Sequence, residues 1–311
     1  MDPVSHGLIG LASYSLVHMP TINSAACLGA VMGSIAPDFD IITRIKGDYI
    51  YLKHHRVESH SLLGIGMISV VLTILLSLAY KDYSYQKIFL WTLIGGLSHT
   101  LFDYLNSYGV ALLYPLNGKK YSLNLLMIYD PVFLILCLYI IRYKPREIGS
   151  YLILLVVAFL YLLYRWLQRR RLEDGISNMY KGNIESVSVM PGGFNLFKWD
   201  YVVDTGSNYL VGQINSITNS VQVVREFKKI RSPIIEKTLE DKLGIYFKNF
   251  TPLYHVDLIE GEKNIIVRMT DLRYRIKDKF KHHASFYYDE DKKLIRRIFQ
   301  PFSKKNVIEI K

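Results

Sequence analysis

The stretch GGLSHTLFDYLNSYG, from Gly95 to Gly109, sets a histidine and an aspartate four residues apart in an otherwise apolar, helix-forming run. At that spacing His99 and Asp103 share one helix face, where they can hold one ion or hydrogen-bond to each other. Other residues of the same types accompany them: His6 in VSHGLIG, Asp38 and Asp40 in SIAPDFD, His54, His55 and His60 in HHRVESHS, and Asp130 in YDP. Imidazoles and carboxylates together form the donor set of Zn²⁺, Mn²⁺ or Fe²⁺, and more than four donors leave room for two or more ions. Two ions roughly 3.5–4 Å apart would activate water and clamp a phosphoryl or carbonyl centre during hydrolysis. Arg56, beside His55, is placed in the sequence to neutralise charge developing on a phosphate. Glu58 is the acid inside the same motif that is left over as a candidate general base.

Simpler roles compete at several of these positions. Asp38 and Asp40 can cap a turn after Pro37, and Asp130 is a natural N-cap for a helix starting at Pro131. Of the adjacent His54 and His55, one normally points at a given ion. His18 reads as packed, and His255, His282 and His283 fall among charged residues and read as a solvated face.

The elements that must position these groups are apolar. Half of the 311 residues are apolar and the mean hydropathy is positive, which is too greasy for an ordinary soluble enzyme. Ser61–Tyr80 and Ile148–Trp166 are each near the roughly 20 residues that a membrane span requires. Ile88–Leu105 and Pro131–Tyr143 are further candidates, and the Gly-, Ala- and Ser-rich segments Gly7–Val17 and Ser24–Ile35 suit close helix packing. The N-terminus lacks a positive n-region, so no cleavable signal peptide is expected. Cys27 and Cys137 lie in apolar runs and read as core residues, not as a disulfide framework.

Six helices in this order put Arg44, Lys46, Lys53, Arg56, Lys119, Lys120, Arg165, Arg169, Arg170 and Arg171 on one side of the membrane. Lys81, Lys87, Arg142, Lys144 and Arg146 fall on the other, so the first side is expected to be cytoplasmic. Every His and Asp of the cluster maps to that same side. Ionisable groups cost a few kcal/mol each near a bilayer, by order of magnitude, and are usually kept for site chemistry.

After Leu172 the pattern changes to near period-2 alternation with turn signals at Asp204–Asn208 and Asp289–Lys292, and one helix is expected near Ile234–Leu243. The expected architecture is a membrane α-helical bundle of about four to six transmembrane or re-entrant helices over residues 1–172. A soluble, mainly antiparallel β domain follows over residues 173–311. The basic excess is spread between them, +6 up to Leu172 and +5 beyond it.

SHGLIG, GSIAPDFD, HHRVESHS and GGLSHTLFDYLNSYGVALLYP resemble, in this order, the signature blocks of the YdjM/YfhP-type family of bacterial membrane-bound proteins, described as metal-dependent hydrolases. The resemblance covers Met1 to about Arg146 well, and the β tail more loosely resembles that of longer members. It implies metal ligands at His6, Asp38, Asp40, His55, His60, His99 and Asp103, with Arg56 adjacent. The family block usually carries Thr before its second His, where Ser59 keeps the hydroxyl. The order of ligands is also similar to that of zinc-dependent phospholipase C enzymes, at the level of site chemistry.

The resulting expectation is a multi-pass hydrolase of the bacterial inner membrane, with its metal site and C-terminal domain cytoplasmic. Zn²⁺ is the first-choice ion and Mn²⁺ or Fe²⁺ the alternatives. The favoured substrate is a phosphoester of a lipid-linked or amphiphilic molecule. The alternative is a non-catalytic, membrane-anchored regulator acting on a protein partner through its β domain. Nucleic acid is disfavoured as a partner, because Lys and Arg are interleaved with acids and no binding motif is present. A transporter ranks last, since the polar residues gather at one end of the helices.

Overall fold

A computed structural model of the chain describes residues 1–80, 84–143, 145, 147–180, 184–193, 195–261, 264–276 and 278–310. Lys81, Lys144 and Arg146, three of the five basic residues expected on the less basic side of the membrane, lie outside the described residues. The chain divides into two compact units: residues 1–46, 54–168 and 193–196 form the first, and 47–53, 169–192 and 197–311 the second.

In the first unit, α1 (Pro3–Ser15) starts where the Asp2 carboxylate accepts the N–H groups of Val4 and Ser5, with proline in the first turn. Helix α2 (Ala25–Ile35) is capped by the Ser24 hydroxyl and runs on into a 3-10 helix, Ala36–Lys46. All but the last residue of α3 (Asp48–His54) belongs to the second unit. Then come α4 (Leu62–Ala79), α5 (Tyr85–Leu105), α6 (Pro131–Tyr143) and α7 (Ile148–Met179), of which residues 169–179 belong to the second unit.

Among the described residues, Ala25–Lys46, Leu62–Ala79, Tyr85–Leu105 and Ile148–Met179 are long and apolar enough to cross a membrane. Helices α1 and α6, at 13 residues each, reach about 20 Å, short of the roughly 30 Å hydrocarbon core. Asp130 is the N-cap of α6: one oxygen accepts the Val132 and Phe133 N–H groups and the other the Tyr161 hydroxyl at 2.8 Å.

The centre of this unit is the contact of α2 with α5. A Cβ added at Gly33 would lie 2.2 Å from the Thr92 carbonyl oxygen, and one at Gly95 2.2 Å from that of Ala30. Small residues thus let the two backbones touch, which is how helices gain van der Waals contact where lipid supplies no hydrophobic drive. The same approach carries Ser34, at the end of α2, to His99 on α5.

In the second unit, β1 (Ser186–Pro191), β2 (Lys198–Asp204), β3 (Asn208–Asn215) and β4 (Val221–Lys228) form an antiparallel meander. Val189, Trp199, Tyr201, Val203 and Ile214 pack on Leu172 and Ile176 of α7. Two helices follow, where the sequence suggests one: α8 (Pro233–Glu240) and α9 (Lys242–Phe250). Asp241 divides them, because its carboxylate accepts the Leu243 N–H to cap α9 and pairs with Arg297 at 2.7 Å.

Strands β5 (Tyr254–Glu260), β6 (Ile265–Asp271), β9 (His283–Tyr288), β10 (Leu294–Gln300) and β11 (Ile308–Glu309) make an antiparallel sheet in the order β11-β10-β9-β6-β5. The two-residue strands β7 (Arg275–Ile276) and β8 (Lys279–Phe280) pair beside it. Val267, Met269, Ala284, Phe286 and Phe299 face Leu243 and Phe247 of α9 and Leu52 of α3.

The three histidines expected to be solvated are buried: His255 is 2% exposed, His282 4% and His283 3%. Their charged sequence neighbours mislead because aromatic rings cover two of the three imidazoles: His282 packs against Phe250, Tyr274 and Phe302, and His255, bonded to Asp257, against Phe227. His283 accepts from the Thr270 hydroxyl and donates to the Phe280 carbonyl.

Candidate metal centre

His60, just before α4, His99 and Asp103 on α5, and Asp38 in the 3-10 helix converge on one point of the first unit. His60 Nε2 and His99 Nε2 are 3.0 Å apart. Asp38 Oδ1 lies 3.5 Å from the first and 3.7 Å from the second, and Asp103 Oδ2 lies at the same two distances. A tetrahedral ion with bonds of about 2.0–2.1 Å separates its ligand atoms by roughly 3.4 Å. The observed spacings bracket that value.

The tautomers are already set. His99 Nδ1 lies 2.7 Å from the Ser34 carbonyl oxygen, which can only accept, so Nδ1 carries the proton. Ser59 donates its hydroxyl to Asp40, which leaves its oxygen to accept from His60 Nδ1 at 2.9 Å. Both Nε2 lone pairs therefore point inward, and two lone pairs this close require a cation between them. Burial opposes charge on His60, yet the Asp103 and Asp38 carboxylates outweigh it and hold this imidazole above its ordinary pKa. A proton would satisfy the two nitrogens alone, whereas a divalent ion satisfies all four donors. Asp38, His60, His99 and Asp103 could thus hold a metal ion, and they are the one such group among the described residues.

The other expected ligands surround this centre. The His6 ring stacks on His99 with centroids 3.7 Å apart, its Nε2 lies 3.4 Å from Asp103 Oδ1, and neither of its buried nitrogens has a hydrogen-bond partner. Asp40 is one layer out: it takes His55 Nδ1 at 2.9 Å, the Arg56 backbone N–H and the Ser59 hydroxyl. His55 meets His60 edge to face at 5.8 Å. Metal-binding histidines characteristically give their second nitrogen to such groups, which fixes the ring.

Arg56 has left-handed backbone, φ 64°, a conformation costly for any residue with a side chain. It is pinned there by its N–H on Asp40 and by its carbonyl, which accepts the Ala111 N–H. Its guanidinium lies 3.1 Å from Asp103 Oδ2 and donates to Asn106 Oδ1 at 3.1 Å. The amino group of Met1 also pairs with Asp103. Glu58 is half exposed and bonded to His54 Nδ1 at 2.7 Å, so this pair is separate from the four converging donors.

Asn106 is a site residue that sequence reasoning overlooks. Buried at the end of α5, it donates to Asp103 Oδ1 at 2.9 Å while accepting from Arg56. The available signal was its place three residues after Asp103, on the same helix face. The Ser34 contribution is a backbone carbonyl, for which residue type gives no signal.

Residues 1–172 match the family model of the YdjM inner membrane protein, and residues 233–309 that of the YfhP C-terminal alpha/beta plait domain. The chain is 26% identical over 304 residues to the uncharacterized protein YfhP of Bacillus subtilis, covering 94% of this chain and 92% of that protein. No solved structure matches.

Proposed function

The chain belongs to the YdjM inner membrane protein family, and on that premise we propose that it is a membrane-embedded, metal-dependent hydrolase of phosphoesters. The observation that carries this reading is the set of four converging donors, three of them buried, with both imidazole lone pairs committed inward. Zn²⁺ suits a tetrahedral nitrogen and oxygen set, with Mn²⁺ or Fe²⁺ as alternatives. A second ion would draw on His6, whose Nε2 lies 3.4 Å from Asp103 Oδ1, and would have to displace the Met1 amino group that pairs with that oxygen.

Such an ion supplies polarisation of a phosphoryl oxygen and acidification of water. The chain's own residues do the rest. Arg56, held by Asp103 and Asn106, offers its guanidinium to charge that builds on the phosphoryl oxygens. Hydrolysis replaces the ester P–O bond by a bond to the oxygen of water, and the leaving alkoxide takes a proton. Glu58, the acid expected as base, is bonded to His54 outside the four converging donors, so Glu58→Gln is expected to leave turnover unchanged. We place the centre and the second unit on the cytoplasmic side, on the strength of the basic residues assigned there.

Metal analysis of the untagged, detergent-purified chain tests the reading. The wild type is expected to carry a stoichiometric transition metal, with His60→Ala and His99→Ala losing it while keeping their helical signal. With the metal in place, Arg56→Gln should lower phosphoester turnover about a hundred-fold. If all forms are metal-free after reconstitution with excess Zn²⁺, Mn²⁺ and Fe²⁺, the hydrolase reading fails and the β domain becomes the place to look for activity.

A further inference from the structure

The 3-10 helix Ala36–Lys46 is eleven residues long, where runs beyond three or four are uncommon. With three residues per turn, side chains three apart eclipse each other, and the segment resolves into three straight rows. Phe39, Ile42 and Ile45 make one row, and they are 61, 68 and 85% exposed. Asp38, Ile41 and Arg44 make the second, and Asp40, Thr43 and Lys46 the third. Phe39 stands between the two carboxylates in sequence and about 120° from each around the axis. An apolar ridge about 12 Å long therefore begins at the residue that follows Asp38, one of the four converging donors.

We propose that this ridge seats in the headgroup–acyl boundary of an anionic lipid leaflet and presents bilayer lipid headgroups to the metal centre. Two observations choose that occupant. The ridge is continuous with α2 in a single stretch, Ala25–Lys46, that by length and composition is apolar enough to cross a membrane, so a lipid surface suits the ridge better than water does. Its far end carries Arg44 and Lys46, both exposed, and basic residues beside an apolar face are what an anionic interface attracts. The 3-10 conformation has a specific use here, because in an α-helix the same three side chains would fan out by about 60° per step and the ridge would be lost. The consequence for substrate rests on the hydrolase reading above, and it is that the phosphoester arrives laterally as part of a membrane lipid.

The test labels the full-length protein with an environment-sensitive fluorophore at Ile42→Cys and, separately, Ile45→Cys. Cys27 and Cys137 are buried and stay in place. Ile217→Cys, on an exposed turn of the β unit, serves as the aqueous control. The proteins are reconstituted in vesicles of phosphatidylcholine with or without phosphatidylglycerol. Labels at 42 and 45 should be quenched at least about three-fold more than the control by lipids carrying a nitroxide near the headgroup, and be shielded from aqueous iodide. Arg44→Gln with Lys46→Gln should remove any extra quenching that phosphatidylglycerol brings.

Iodide quenching at 42 and 45 equal to that at 217 overturns the proposal, and so does protection from both quenchers, which would mean that protein covers the ridge. Metal content measured on the same samples keeps the two ideas apart. A lipid-seated ridge on a metal-free protein sinks the hydrolase reading and the delivery of headgroups to a metal but keeps the seating of the ridge, and a metal-loaded protein with a watery ridge sinks this proposal alone.

Discussion

Asp103 is asked to serve two sets of neighbours. Its Oδ2 faces His60 and His99, while Oδ1 accepts from Asn106 Nδ2. Asn106 in turn accepts from Arg56 Nη1, and Arg56 Nη2 donates directly to Asp103 at 3.2 Å, so amide, guanidinium and carboxylate brace one another. Replacing Asn106 by leucine leaves two buried polar groups one partner short, at about 1–3 kcal/mol each, and removes the amide that orients both the guanidinium and the carboxylate that the ion needs. Asn106→Leu is therefore expected to weaken metal binding about 10–100-fold, read by competition with a chelator of known affinity. An unchanged affinity would reduce Asn106 to a helix terminator. At this scale the donor types were legible in the sequence, since His60, His99, Asp38 and Asp103 stand in recognisable blocks. The division of labour among them was not. Asp40 and Asp38 are two residues apart, and only the 3-10 twist decides that one converges with the histidines while the other braces His55 and Ser59.

Between elements, the contact of α2 and α5 decides whether those donors meet. Gly33→Ala puts a methyl 2.2 Å from the Thr92 carbonyl oxygen, and the nearby atoms are backbone, which cannot swing away. The helices must separate, and the Ser34 carbonyl then leaves His99 Nδ1, which it now meets at 2.7 Å. We expect this one methyl to cut metal affinity by more than about ten-fold and to lower the melting temperature of the helical unit. Gly66→Ala, in α4 with open space around its Cβ, should do neither. Hydropathy located α4, α5 and α7 and the shorter α6, and the Gly-, Ala- and Ser-rich runs located α1 and α2, because these are properties of a segment's own composition. It could not locate α3, which lies between two site motifs in the chain. Tyr49 there stacks edge-on to Tyr246 at 4.8 Å, and Asp48 accepts from Asn306 at 2.6 Å, so its partners lie some two hundred residues further along.

The molecule as a whole joins a helical unit to a β unit of different chemistry, and the difference shows in how each responds to acid. In the β unit, burial pushes the His282 and His283 imidazoles down to about 4. Asp271, Arg273 and Lys281 act on the first, and Lys304 and Arg268 on the second. Both rings are thus neutral in the folded state, while in the unfolded chain they titrate near 6.5. Between those values the unfolded chain binds more protons, so stability is full above about pH 6.5 and falls as the pH drops toward 4. The loss approaches roughly 3 kcal/mol per ring across the window. Asp241, held down by its bond to Arg297, adds its own loss below about pH 4. Urea unfolding followed through Trp199, which is buried in this unit, with Trp91 and Trp166 changed to Phe, should show a midpoint at pH 4.5 well below that at pH 7.5. His282→Phe should shrink the difference, because it keeps an aromatic ring against Phe250, Tyr274 and Phe302 without a proton to gain. Equal midpoints at the two pH values would mean that these rings accept protons without unfolding, and that their burial is looser than their surroundings indicate.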